Sequence, residues 1–285
     1  MFDIVIVGAG PAGLSAAITA RARNKDVLVV SNKPEESPLA KATIIDNYPG
    51  MPQISGLGLI ELMKKHACDA GATFRFGRVI SVLPMGDHFS LSVGNEIIEA
   101  LSVILTIGTQ AAKPFVGEAE FLGRGVSYCA TCDGMLYRDS SVCVAGFTSE
   151  AIEEANFLAG IGASVVFLAK KLPEGLSEEI DVRIGSVVEI QGDLMGVTGL
   201  VYKSEGADLE TINCNGVFLL RQSIAPDALV AGLELSDGYI DVDKDMCTNI
   251  AGIFAAGDCT GKPLQIAKAV GEGQRACFSA IAFLD

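Results

Sequence analysis

The run Phe2-Asp3-Ile4-Val5-Ile6-Val7-Gly8-Ala9-Gly10-Pro11-Ala12-Gly13-Leu14-Ser15-Ala16-Ala17 decides the fold. Its first six residues make a short apolar strand of the kind buried in a parallel sheet. Glycines spaced Gly-x-Gly-x-x-Gly follow, and Leu14 to Ala20 opens a helix. In that strand–turn–helix setting Gly8 makes the tight turn, Gly10 lets a pyrophosphate approach the backbone, and Gly13 lets helix pack on strand. The phosphates then meet a helix N-terminus, whose free N–H groups and dipole favour negative charge. Glycine-rich turns also occur as mere packing, so the flanking strand and helix give the pattern its weight. The next strand, Val27-Leu28-Val29-Val30, should end in an acid for the ribose hydroxyls. It ends instead in Ser31 and Asn32, either of which can hydrogen-bond a ribose.

The same unit returns later in the chain. Val142-Cys143-Val144-Ala145-Gly146 reads as a buried strand, a helix follows over about residues 150–159, and Ser164–Leu168 reads as the next strand. The chain is therefore an α/β protein, and a second nucleotide-binding domain is the natural expectation. Its turn, however, reads Gly146-Phe147-Thr148-Ser149-Glu150-Ala151. Phe147 puts a bulky side chain where a phosphate should lie, and Glu150 adds like-charge repulsion at the helix N-terminus. The better reading is a domain kept for its structure that does not bind a nicotinamide nucleotide. Lys170-Lys171, beyond the next strand, reads as a relic of a 2′-phosphate site or as a solvated basic end.

Between the two units lies Gly125-Val126-Ser127-Tyr128-Cys129-Ala130-Thr131-Cys132-Asp133-Gly134. Two cysteines at this spacing can close a small disulfide loop and be reduced again, because attack and resolution need the second sulfur within reach. Asp133 beside them can exchange a proton with the attacking or leaving thiol. The alternative is half of a structural zinc site, but no second Cys/His pair at similar spacing exists. Cys68, Cys143, Cys214, Cys247, Cys259 and Cys277 are scattered, and His66 and His88 are the only histidines. The pair reads as a redox centre.

Length and composition bound the rest. A chain of 285 residues has room for two domains, and 49% apolar residues with 32 glycines suit an α/β protein rich in tight turns. A net charge of −14 argues against nucleic acid or an anionic membrane as partner. No apolar run approaches the roughly 20 residues of a membrane span. Met1-Phe2-Asp3 lacks the basic start of a secretory signal, which with the unpaired cysteines suggests a reducing, cytoplasmic setting.

Elsewhere, Ile45-Asp46-Asn47-Tyr48-Pro49-Gly50-Met51-Pro52 reads as a rigid loop, leading to a helix near residues 59–70 whose His66 belongs to the surface. Residues 73–107 read as short strands with a hairpin near Gly86-Asp87, and residues 182–220 as short strands and another hairpin. Asp237–Val242 leads back towards the first domain. Gly252-Ile253-Phe254-Ala255-Ala256-Gly257-Asp258-Cys259 is a buried strand ending in Gly-Asp, and Gln265–Gly273 opens the last helix.

With these pieces in order, the chain resembles the low-molecular-weight thioredoxin reductase family over essentially its whole length. The resemblance rests on Gly8–Gly13, Asn47-Tyr48-Pro49-Gly50, Cys129–Gly134, and Phe254–Asp258 followed by Gly271-Glu272-Gly273. It implies two Rossmann-like three-layer domains: an FAD-binding domain from residues 1–112 and 245–285, and an inserted domain, 113–244, carrying the redox cysteines. Gly8, Gly10 and Gly13, with Pro11 and Ala12, would bind the FAD pyrophosphate, and Ser31 or Asn32 the ribose. Asn47, Thr106 and Gly108 would lie near the cofactor. Gly257 and Asp258 would meet the ribityl and phosphate region, and Gln265, Ile266 and Ala267 the isoalloxazine edge. Cys132 would face the flavin, Cys129 would attack the partner's disulfide, and Asp133 would serve as acid/base. Thioredoxin is the implied substrate and a homodimer the implied assembly.

Three departures bear on the electron donor. The family's second glycine-rich turn is replaced by Gly146-Phe147-Thr148-Ser149, its arginine-rich strand end by Ala169-Lys170-Lys171, and an Ile-Gly pair near Pro-Asn by Phe218-Leu219-Leu220-Arg221-Gln222-Ser223. The stretch before Gln265 also lacks the usual arginine. These losses resemble the pyridine-nucleotide-independent, ferredoxin-dependent branch, so reduced ferredoxin is the expected donor. An NADPH-dependent reductase, a disulfide oxidoreductase with a second flavin in the altered site, and a non-catalytic redox sensor are the alternatives. Ferredoxins are acidic, so docking would need a local basic patch, for which Lys33, Lys41, Lys64, Lys65, Arg75 and Arg78 are candidates.

Overall fold

The computed structural model describes residues 1–109, 114–147, 150–204, 206, 208–220 and 224–285, without the side chains of Glu36 and Glu150. Thr148, Ser149, Arg221, Gln222 and Ser223, used in the sequence reading of the second turn and its neighbourhood, lie outside the described residues. The chain divides into two compact units, Met1–Gln110 with Ala225–Asp285, and Ala111–Ile224.

The first unit starts as the sequence requires. β1 (Phe2–Val7) leads through the glycine turn into α1 (Pro11–Ala22), and β2 (Val27–Ser31) follows. Pro11 stands at the first helical turn, where its missing N–H costs nothing, and Ala-rich sequence carries the helix on. Asn24, at φ 59°, takes the left-handed conformation just past the C-terminus. Next come α2 (Gly56–Asp69), capped by the Ser55 hydroxyl accepting from Gly58 N–H, then β3 (Thr73–Phe76), β4 (Val79–Pro84), β5 (Phe89–Val93) and β6 (Glu96–Leu105).

β6 is the hub of this sheet. Its first half pairs antiparallel with β5, through Val93↔Glu96 to Phe89↔Ala100, while from Ala100 onward it pairs parallel with β1. The sequence shows only the apolar end of this strand, because its N-terminal half is half-exposed and mixed in character. The expected hairpin near Gly86 is the β4–β5 connection, where Met85 N–H donates to the His88 carbonyl at 2.8 Å.

In the second unit the elements are α3 (Glu118–Phe121), β7 (Val126–Ser127), α4 (Ala130–Asp133), β8 (Ser141–Gly146), α5 (Glu150–Gly160) and β9 (Ser164–Ala169). The hairpin read between 182 and 220 is built from long strands, β10 (Asp181–Asp193) and β11 (Gly196–Ser204), followed by β12 (Leu209–Asn213) and β13 (Gly216–Leu220). The seven strands run in the order β12-β11-β10-β9-β8-β13-β7. β7, β13, β8, β9 and the start of β10 are mutually parallel, as the βαβ reading expects.

The chain then returns to the first unit through α6 (Pro226–Leu229), β14 (Leu235–Ser236), β15 (Tyr239–Ile240), β16 (Ile253–Ala255) and α7 (Ile266–Leu284). The return falls at 224/225 rather than 244/245, because residues 225–244 bond into the first unit. α6 packs on β4, Asn249 accepts from Glu234 N–H at 3.0 Å, and its amide donates to the Gly232 carbonyl at 2.8 Å. β16 joins the sheet beside β6, Ile253 opposite Val103, completing seven strands. α7 packs against α1 so tightly that a Cβ on Gly273 would strike the Ala12 carbonyl oxygen, and Ser15 Oγ donates across to the Val270 carbonyl at 2.8 Å. Among the described residues no helix is long and apolar enough to cross a membrane.

Candidate functional site

β7 is an edge strand held on β13, and it delivers the cysteine pair to the end of the second sheet. Cys129 and Cys132 form a disulfide with Cα atoms 5.3 Å apart. Cys129 sits at the N-cap of α4 in extended conformation and its sulfur accepts from Cys132 N–H at 3.1 Å. The turn is therefore organised around the sulfur itself. Cys129 is 3% exposed, whereas Cys132 lies exposed.

The carboxylate of Asp133 is held by the Ser127 hydroxyl, which donates to Oδ2 at 2.6 Å, while Cys129 N–H donates to the same hydroxyl oxygen at 3.1 Å. Asp133 and the first cysteine thus share one buried serine. Glu154, on α5, accepts from Ala130 N–H at 2.6 Å and fixes the loop from the opposite side. Neither Ser127 nor Glu154 is singled out by spacing, because each meets the pair only through the packing of β7 and α5.

The remaining thiols are set apart by burial. It pushes those of Cys214, Cys259 and Cys277 up to about 12 and that of Cys143 well above the ordinary thiol value. A raised pKa disfavours the reactive thiolate, so at about pH 8 these thiols carry roughly a thousandfold less of it than an ordinary cysteine. Iodoacetamide treatment of the folded protein, read by peptide mass, is expected to mark Cys68, which is exposed, and to spare these four until denaturant is added. Early marking of Cys259 would show that the interior opens.

The glycine turn of the first unit faces a cleft lined by Gly10, Pro11, Ala12, Leu39, Thr106, Gly108, Ala256, Gly257, Asp258, Leu264, Gln265, Ile266 and Ala269. Nine of the residues singled out from sequence meet here. Gly8 and Gly13 stand behind it. Gly8 has φ 112°, and a Cβ there would strike the Thr106 carbonyl; a Cβ on Gly13 would strike the Gly8 carbonyl and lie 2.6 Å from Thr106 Oγ1. Thr106 donates from its hydroxyl to the carbonyls of Val7 and Gly8 at 3.0 and 2.9 Å, so it secures the turn. A Cβ on Gly10, by contrast, would meet no atom of the described residues within 4 Å, its chain neighbours aside. Asn47 donates to Gln265 Oε1 at 2.9 Å, joining two distant expected contacts; Ser31, Asn32 and Ala267 are not among the cleft-lining residues.

One feature of this cleft has no signal in the glycine motif. Lys268 donates to the carbonyls of Gly257 and Gly261 at 2.8 and 2.7 Å and pairs with Glu272 at 3.1 Å, while Glu272 Oε2 accepts from Gly257 N–H at 2.9 Å. This knot fixes the turn that carries Asp258. Burial raises the pKa of Asp258 above the usual carboxylate value, with Lys268 opposing and Glu272 adding to the rise.

The second unit's turn is built differently. Phe147 N–H donates to the Leu220 carbonyl at 3.1 Å, and its ring stacks on Phe115 at 6.1 Å between centroids. The basic candidates also divide. Lys65 pairs with Asp69 at 2.6 Å and Arg75 with Glu96, while Lys64 lies over the rings of Phe74 and Phe76 at 5.5 and 4.3 Å.

Comparison with known proteins bears on both sites. The model of the pyridine nucleotide-disulphide oxidoreductase family matches residues 2–273. The thioredoxin reductase of Treponema pallidum is 33% identical, covering 100% of this chain and 97% of the relative, and that of Aquifex aeolicus is 36% identical over 90% and 85%. A crystal structure of a ferredoxin-flavin thioredoxin reductase from Clostridium acetobutylicum is 41% identical, with TM-score 0.88 over 99% of this chain and 97% of that one. A thioredoxin reductase from Gloeobacter violaceus is 31% identical, with TM-score 0.83 over 99% and 93%.

FAD is the cofactor these relationships imply, and the residues present fit it. The first turn leaves open space at Gly10 alone of its three glycines, which is where a pyrophosphate must approach backbone, and α1 starts directly behind. The same chain also carries a closed disulfide, Cys129–Cys132. This chain belongs to the pyridine nucleotide-disulphide oxidoreductase family, as a flavoprotein disulfide reductase of the thioredoxin reductase type.

Proposed function

We propose that this chain takes electrons singly from reduced ferredoxin and delivers them in pairs to the disulfide of thioredoxin, acting as a cytoplasmic homodimer. The observation that carries the choice of donor is the second turn. Phe147 gives its N–H to the Leu220 carbonyl and stacks its ring on Phe115, which sets a bulky side chain in the turn where a nicotinamide nucleotide's phosphates would need close approach to the backbone. The 41% identity to a ferredoxin-flavin enzyme supports the same reading. The energetics allow it: a plant-type ferredoxin near about −400 mV and a thioredoxin near about −270 mV leave roughly 6 kcal/mol per electron pair downhill.

Gly8, Gly10, Pro11, Ala12 and Gly13 would hold the FAD pyrophosphate. Asp258, Gln265 and Ile266 would hold the remainder along the cleft, with Asn47 reaching it through Gln265. When bound, FAD supplies the conversion from one-electron to two-electron chemistry.

The chain's own residues do the thiol chemistry. Reduction of the Cys129–Cys132 disulfide consumes two electrons and one proton, leaving Cys129 as a thiolate and Cys132 as a thiol. The Cys129 thiolate attacks one sulfur of the thioredoxin disulfide, forming a mixed disulfide and releasing the other sulfur as a thiolate that takes up a proton. Cys132 then attacks Cys129, re-forming the internal disulfide and freeing reduced thioredoxin. Asp133, held through Ser127 beside the Cys129 backbone, is placed to exchange those protons.

Anaerobic stopped-flow of the flavin absorbance tests the donor. Reduced ferredoxin should bleach the flavin at a catalytic rate, while NADPH and NADH should do so at least about a hundredfold more slowly. Rapid bleaching by NADPH would make this a conventional reductase and overturn the reading of Phe147.

A further inference from the structure

The chain crosses between its two units at 110/111 and 224/225. Described residues near both crossings belong to one small cluster inside the second unit. Phe115, just past the first crossing, is stacked on Phe147 with the ring planes 29° apart. Leu220 ends β13 just before the second crossing, and its carbonyl takes the Phe147 N–H at 3.1 Å. One residue in the altered turn therefore touches Phe115 and Leu220, described residues near the two crossings.

A buried carboxylate extends the cluster. Phe115 N–H donates to Glu118 Oε2 at 2.8 Å, and Glu118 N–H donates back to the Phe115 carbonyl at 3.1 Å. The other oxygen, Oε1, accepts from the Tyr128 hydroxyl at 3.0 Å. Glu118 is 3% exposed and Tyr128 is 8% exposed, so this charge-assisted pair is shielded from water and expensive to break. Tyr128 immediately precedes Cys129. A continuous set of contacts thus runs from the first crossing, through Glu118, to the buried redox sulfur.

We propose that Phe147 and Glu118 form the pivot of the second unit: Phe147 holds Phe115 and Leu220, near the two ends of the unit, and Glu118 couples Phe115 to the position of Cys129. In this role Glu118 is a positioning residue, acting on Cys129 through Tyr128. The inference does not depend on which donor reduces the flavin. It gives Phe147 a positive function, as the anchor of Phe115 and Leu220.

Hydrogen exchange read by peptide mass on the FAD-loaded protein tests the pivot, with Phe147→Ala, Phe147→Tyr and Glu118→Gln beside the parent. Phe147→Ala should speed exchange about tenfold in peptides covering residues 114–121 and 216–226, with Phe147→Tyr close to the parent. Glu118→Gln should speed only the first peptide and the segment around residues 127–133. It should also raise iodoacetamide capture of Cys129 in the reduced protein by about fivefold or more, with FAD content unchanged. If the 216–226 peptide of Phe147→Ala exchanges as in the parent, or if exchange rises equally across β9 and β10, Phe147 merely packs the unit and the pivot is refuted. Capture of Cys129 within about twofold of the parent in Glu118→Gln refutes the coupling.

Discussion

Replacing Cys129 with serine should abolish thioredoxin reduction, a loss of at least about a thousandfold, while the flavin remains reducible by its donor. The two halves of that outcome separate the sites. The cleft under Gly10 and Asp258 is lined by no part of the cysteine pair, so its redox chemistry survives, whereas the buried thiols of Cys143, Cys214, Cys259 and Cys277 are not placed to replace Cys129. The companion variant, Cys132→Ser, fixes the order of events. If Cys129 is the attacking sulfur, Cys132→Ser should accumulate a mixed disulfide with thioredoxin, visible on a non-reducing gel and located by peptide mass. In the structure it is Cys132 that lies exposed and Cys129 that is buried, so attack by Cys129 requires that sulfur to emerge. A trapped complex in Cys129→Ser instead would exchange the roles of the two sulfurs. Retained turnover in Cys129→Ser would remove the pair from the reaction altogether.

The second large effect is expected at Gly10. Gly10→Leu should yield a folded but colourless protein, with FAD affinity reduced by about a hundredfold or more. Gly10 has φ −76°, which any residue adopts, and a Cβ there would meet no atom of the described residues within 4 Å, so the apoprotein should keep its stability. The added side chain instead occupies the space a pyrophosphate needs. Gly13→Ala provides the contrast. Its Cβ would strike the Gly8 carbonyl and crowd Thr106, so it should cost about 1–3 kcal/mol of folding stability whether or not FAD is present. Flavin absorbance after gel filtration, together with urea unfolding of both apoproteins, distinguishes ligand space from packing space. Retention of stoichiometric FAD by Gly10→Leu would move the cofactor away from this turn.

The pivot around Phe147 shows how a change legible in one dimension acquires its meaning in three. From sequence, Phe147 is a lost glycine and a bulky side chain where a phosphate should lie. In the fold its ring reaches Phe115 and its N–H reaches Leu220, residues 32 and 73 positions away. The Lys268–Glu272 knot around Gly257 is similar: the two side chains are one helical turn apart, but their role depends on a loop that precedes the helix.

The amino-acid sequence by itself determined both βαβ units, the glycine turn, the cysteine pair and the family, because each is written in local spacing. An apolar run of strand length, a helix that follows at once, and two cysteines within one turn need no distant partner to be recognised. Only the tertiary structure decided where the second unit ends, that β6 exchanges β5 for β1 and β16 along its length, and that Ser127, Glu154 and Glu118 surround the cysteines. Those features depend on which side chains long-range packing brings within hydrogen-bond reach, as with Ser15 and Val270, 255 residues apart, and local periodicity carries no record of such pairs.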